Sequence, residues 1–142
     1  MKKAISLLIL FVLISCNSTS KITGPKPLYE ILISKSDGGA SIRFFETLSE
    51  EREIKMLQSD ADLKKKIKVE DIKTANFVIL NMGEQTTFGY KITVDKVAET
   101  EAAIILTVRD IPPTTQQTSE NEVFYYPVTI VKINSKKQLI IQ

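Results

Sequence analysis

The sequence predicts an α+β domain built mainly from antiparallel sheet, and three features of the chain carry that prediction. From Asn76 to Ile141, short apolar or alternating runs are separated by turn-forming residues, the pattern of strands joined by tight connections. Residues 47–67 instead carry helix-start signals and apolar residues at helical spacing. Ahead of both, residues 1–15 form an apolar segment that does not belong to the domain. The expected organisation is an N-terminal two-strand hairpin, one or two helices, and a five-strand C-terminal meander.

Met1-Lys2-Lys3 is a cationic start, and Ala4 to Ile14 is apolar apart from Ser6. That run falls within the ~7–15 residues of an export-signal core and short of the ~20 needed to span a bilayer. It leads into Leu13-Ile14-Ser15-Cys16, which resembles a bacterial lipobox. Small Ser15 lets an extended backbone enter the signal peptidase, and the Cys16 thiol is the nucleophile that takes up diacylglycerol. Cys16 is the single cysteine of the 142 residues. Residues 1–15 are therefore expected to be removed and Cys16 to anchor the protein in the lipid bilayer. Two or three acyl chains make release very slow, since each buried methylene contributes about 0.8 kcal/mol. Asn17 to Pro27 (NSTSKITGPKP) is polar and broken by glycine and proline. Residues 16–27 thus read as lipidated cysteine and tether, reaching ~35 Å at most, and residues 28–142 as one domain. Asn17 in place of an aspartate, and a tether without acidic residues, favour the periplasmic face of an outer membrane over the inner membrane.

The chain holds 19 basic and 17 acidic residues, and removing the signal takes Lys2 and Lys3 with it, so the mature charge balances to zero. A balanced surface does not favour nucleic acid, whose phosphates need a basic one. Histidine is absent altogether. That excludes Ser-His-Asp and Cys-His catalysis, imidazole metal ligation and histidine pH switching. With the lone cysteine acylated there is no thiol nucleophile and no internal disulfide. No cofactor is expected, and carboxylate-only hydrolysis is the chief enzymatic chemistry left open.

The domain starts with Leu28 to Ser34 (LYEILIS), a β-type run, followed by the turn signal Asp37-Gly38-Gly39 and a returning strand at Ser41 to Glu46. Thr47 and Glu50 fit a capping box for a helix over about 48–58, with Ile54 and Leu57 as its apolar stripe. Ser59 with Asp62 can open a second short helix whose Leu63 and Ile67 face inward. Asn76 to Met82 is apolar on both alternations, as a central strand should be. Gly83 to Thr87 turns the chain into an alternating strand, Phe88 to Val97, and Ala102 to Arg109 forms the next. Pro112 to Glu122 is a long polar loop, Val123 to Ile133 a strand with a bulge near Ile130 and Val131, and Gln138 to Ile141 the last strand.

Among polar clusters, Glu50, Glu51 and Glu53 suit the start of a helix, where its dipole favours negative charge, better than general acid–base work. Lys64, Lys65, Lys66 and Lys68 read as a solvated face partly cancelled by Glu70 and Asp71, with anionic head groups the competing reading. Gly83, Thr86, Gly89 and Tyr90 mark a structural turn, and alternation places Phe88 and Tyr90 in the core with Ile92 and Val94. The alternative makes Phe88 and Tyr90 anchors of a binding edge. The expected partner surface is the loop with its flank: Pro112, Pro113, Thr114, Gln116, Tyr125 and Tyr126.

The run Asn76-Phe77-Val78-Ile79, then Gly83, then Thr86-Thr87-Phe88-Gly89-Tyr90 before an alternating strand resembles the C-terminal domain of the protease-complex subunit PrcB. That family has a "DF" strand start, a "G…TGGY" turn and two later proline features, whose places Pro112-Pro113 and Tyr126-Pro127 take here. Asn76 stands for its aspartate, Phe88 for the first paired glycine, and no glycine follows Pro113. The resemblance extends over about residues 28–135, including Gly38-Gly39 and the helix at Glu50 to Leu57. It implies a lipid-anchored, non-enzymatic accessory subunit that binds or stabilises a protease on the cell envelope, and it supplies no catalytic residues. The alternative is a lipoprotein binding a small molecule or glycan between helix and sheet, in a pocket lined by Phe44, Phe45, Tyr90 and Tyr125.

Overall fold

The computed structural model describes residues 26–114 and 123–142, and these form three layers. The strands are β1 (Tyr29–Lys35), β2 (Phe44–Leu48), β3 (Asn76–Asn81), β4 (Lys91–Glu99), β5 (Ala103–Ile111), β6 (Val128–Ile133) and β7 (Gln138–Ile141). Two short helices, α1 (Glu51–Leu57) and α2 (Asp71–Thr74), lie between β2 and β3. A four-stranded antiparallel sheet in the order β1-β6-β3-β2 is the middle layer. The helical segment covers one of its faces, and a second sheet, β4-β5-β7, covers the other. The α+β class dominated by antiparallel pairing is thus the architecture observed.

Burial explains the strand order. β3 and β6 carry apolar side chains on both faces, with Phe77, Val78, Leu80, Val131 and Ile133 fully buried, so they take the centre. β1 and β2 leave most of their residues exposed and take the edges. The expected N-terminal hairpin therefore does not form: β1 pairs with β6 and β2 with β3. Gly38 does turn the chain, at φ +113°, but over the end of the sheet rather than between neighbours.

The five-strand meander is corrected in the same way. Only β4 and β5 pair as consecutive strands within it, because β3 and β6 belong to the other sheet. β6 runs back along the first sheet before the chain crosses over, so β7 lies parallel to β5. The bulge expected near Ile130 and Val131 occurs at that level but on the neighbouring strand, where Leu32 is the extra residue between Ile31 and Ile33. Leu32 is buried as a result and joins the core under the helices.

That core unites Ile54, Leu63, Ile67, Ile72 and Phe77. Leu63 and Ile67 point inward as expected, from turns rather than a second full helix; the helical residues after α1 are those of α2. The cap of α1 is also displaced: Glu50, not Thr47, is the N-cap, and its partner is Glu53, whose Oε2 accepts the Ser49 and Glu50 amides at 3.1 and 3.0 Å. Thr47 is held in β2 by pairing with Val78, which leaves it unable to start the helix. Glu51 pairs with Lys55 at 2.8 Å one turn on, so these acidic residues serve helix α1. Among the described residues no helix is long and apolar enough to cross a membrane.

Candidate functional site

The alternating directions of the strands divide the connections between two ends of the domain. At one end lie Lys26–Pro27, the β2–α1 junction, the β4–β5 turn and the β6–β7 turn. Here Asn134 ties down the incoming chain: its Nδ2 donates to the Pro27 carbonyl at 2.7 Å and its amide to the Leu28 carbonyl at 2.9 Å. At the other end the loops 36–43, 82–90 and 111–114 meet residues 123–127, and this loop-bearing pole is the candidate site.

Asn81, fully buried at the end of β3, fastens the first loop to the sheet. Its Oδ1 accepts the Ala40 amide at 2.9 Å, while Nδ2 donates to the carbonyls of Ala40 at 2.8 Å and Ile42 at 2.6 Å. The side chain so imitates a strand neighbour where no strand is present. Gly39 must be glycine here for lack of space, since a Cβ would lie 2.1 Å from Asn81 Oδ1. Its amide donates to the Tyr126 carbonyl at 2.9 Å. Arg43, at the end of this loop, makes a two-pronged bond to Asp110 (2.9 and 3.2 Å) and lies 5.1 Å above the Phe45 ring, joining the mouths of the two sheets.

The second loop carries the expected structural turn. Gly89 has φ +100°, and a Cβ there would sit 3.0 Å from Pro113 Cβ, so the turn packs directly on the proline pair. Tyr90 enters the core between the sheets, as alternation predicts. Phe88 does not: it is 52% exposed and meets Tyr125 edge-to-face, with centroids 5.3 Å apart. The strand starts only at Lys91, so the period of two does not extend back to Phe88. Gln85 and Tyr125 exchange backbone hydrogen bonds, both 2.9 Å, in an isolated bridge that binds the second loop to the third.

Of the expected partner surface, Pro112, Pro113 and Thr114 line a groove of about 550 Å³ together with Phe88, Gly89 and Lys91. Tyr125 stands beside it through Phe88. Tyr126 instead bridges the first two loops: its amide donates to Asp37 Oδ1 and its hydroxyl to Glu84, both at 3.3 Å. Desolvation and then the carboxylates of Glu84 and Asp37 raise the titration of that hydroxyl above its usual range, keeping it a donor. Gly83 sits at φ +86° against the Arg43 backbone, and Thr86 is exposed. Gln116 and Cys16 lie outside the described residues. The four residues expected to line one pocket between helix and sheet do not come together: Phe44 faces the helix side, Phe45 and Tyr90 pack between the sheets, and Tyr125 is at the pole.

What the sequence reading missed is the apolar character of this end. Of nine large hydrophobic side chains exposed among the described residues, five (Ile42, Phe44, Phe88, Val123 and Phe124) belong to these loops or their margins. Residues 76–134 match the family described as PrcB C-terminal. Over that stretch the chain is similar to that family. The match runs from the first residue of β3 to the residue after β6, so it takes in the second and third loops of the pole and leaves β1, β2 and the helices outside. No curated protein and no solved structure matches the chain.

Proposed function

We propose that this PrcB C-terminal-like protein is a non-enzymatic accessory domain that docks a protease-complex partner through its apolar pole while Cys16 anchors it to the envelope. The observation that carries the reading is the gathering of exposed apolar side chains at the end away from the tether. Phe88, Phe124 and their neighbours have no core to enter, and aromatic side chains on rigidly held loops are the usual anchors of protein interfaces. β1 separates that pole from Pro27 by seven residues, or roughly 20 Å of strand. The described chain thus begins at the end opposite the docking surface, and a partner held at the same membrane meets the pole at high local concentration. Removal of residues 1–15, acylation of Cys16 and residence on the periplasmic face of an outer membrane belong to the same proposal.

The test is gentle crosslinking and pull-down of the lipidated protein from its own envelope, with mass spectrometry of what accompanies it. A stoichiometric protease or protease subunit is expected. Recovery should fall about tenfold in a Phe88→Ser, Phe124→Ser variant whose melting temperature is unchanged, since truncating interface aromatics commonly costs ~2 kcal/mol or more. A protein recovered without a partner, or a partner retained in full by that variant, overturns the docking role of the pole.

A further inference from the structure

The helix-covered face of the first sheet is only half covered, and its register shows which half. Three rows of side chains cross that face. The row of Leu48, Phe77 and Lys132 lies under the helical segment and is buried. The next row, Glu46, Ile79, Ile130 and Ile33, crosses all four strands, yet Ile79 and Ile130 are only partly buried. In the row nearest the pole, Phe44 is 37% exposed. The cause is length: α1 has seven residues, about 10 Å of helix, over strands that run up to roughly 20 Å.

Two grooves result, of about 440 and 380 Å³, and Ile79 walls both. Their apolar lining includes Phe44, Ile130, Leu57 and Met56, the last 70% exposed. The charged groups that line them are acidic with one exception, Glu46, Glu53, Asp37 and Asp60 against Lys35, while Arg52 and Lys55 lie on the far side of Met56. Lys35 is itself neutralised by an ion pair with Asp62, whose carboxyl is held below the usual range by that bond. An apolar trough beside a short helix, bordered by unbalanced carboxylates, is complementary to an apolar stripe flanked by cations.

We propose that this trough receives a cationic amphipathic helix from a partner protein, which completes the helical layer that α1 leaves short. Leu-type side chains would lie over Ile79 and Ile130, and Lys or Arg would reach Glu46, Asp37 and Asp60. The trough borders the apolar pole and shares Phe44 and loop 36–43 with it, but it does not include Phe88 or Phe124, and a helix bound over Ile79 needs no partner at those two residues.

The probe is a dye-labelled Leu/Lys amphipathic peptide of about 14 residues, long enough to form a helix on binding, titrated into the full chain beside a Leu/Glu counterpart. The Leu/Lys peptide should bind, with affinity falling as salt rises, and the Leu/Glu peptide should not. Met56→Lys and Glu46→Lys, both at exposed positions, should each weaken binding about tenfold without changing the melting temperature. Ile140→Lys, at another exposed position on the outer sheet, supplies a matched charge elsewhere and should leave binding intact. Equal binding of both peptides, an equal loss in Ile140→Lys, or no binding by the folded protein overturns the proposal. Concentration-dependent dimers abolished by Met56→Lys would also overturn it, assigning the trough to a second copy of the chain.

Discussion

At Gly89 a single backbone angle and a single contact combine. The residue holds φ +100°, where L side chains are strained, and a Cβ would press on Pro113 at 3.0 Å. Gly89→Val should therefore destabilise the domain by about 2–4 kcal/mol, read as a lowered denaturation midpoint with unchanged slope. Asn81→Ala should cost about 2–4 kcal/mol, because it strips partners from the Ala40 amide and from the carbonyls of Ala40 and Ile42. Proteolysis of the native protein should then begin in loop 36–43, and uniform resistance along the chain would contradict that role. Gly89 was legible in the sequence because a glycine before an alternating strand announces a turn. Asn81 was not, since its partners lie about forty residues away and nothing local marks a side chain that stands in for a strand. Phe88 was misread because alternation gives the phase of a strand but not the residue at which the strand begins.

At the scale of elements, Lys132 links three of them. Its side chain is nearly buried and lies 3.0 Å from Glu30 on β1 and 3.5 Å from Asp71 at the start of α2. Asp71 is buried as well and accepts the Lys68 amide at 2.9 Å. Lys132→Met leaves Asp71 an unpaired buried carboxylate and should cost about 3–5 kcal/mol; adding Asp71→Asn should restore a substantial part, since the amide oxygen still accepts from Lys68. A double variant no more stable than the single would show that the two charges do not act as a pair. The strands themselves were readable: central β3, the short last strand and the bulge level follow from side-chain patterns that act within a few residues. Pairing was not, because it depends on which strands bury both faces. β1 and β2 each mix apolar and polar residues, consistent with a hairpin or with two edges, and only the competition from β3 and β6 for the centre decides it.

At the scale of the whole molecule, the proposed function puts attachment and recognition at opposite ends. Asn134 holds Pro27 at one end, and the exposed aromatics gather beyond the far end of β1. The expectation of a signal segment rests on a linear code, whereas the apolar pole assembles from loops distant in sequence. If residues 16–27 are only a tether, the anchor contributes nothing to the fold, since the cores of residues 28–142 are closed among themselves. Cys16→Ala should then abolish labelling by a radioactive fatty acid and release the protein from the membrane fraction. Melting temperature and circular dichroism should be those of the unlabelled wild-type domain, and partner recovery should fall because the effective concentration at the membrane is lost. Restoring membrane attachment to Cys16→Ala through a different N-terminal anchor should return the partner; a variant that melts early, or stays partnerless once re-anchored, would mean that Cys16 does more than hold the domain in place.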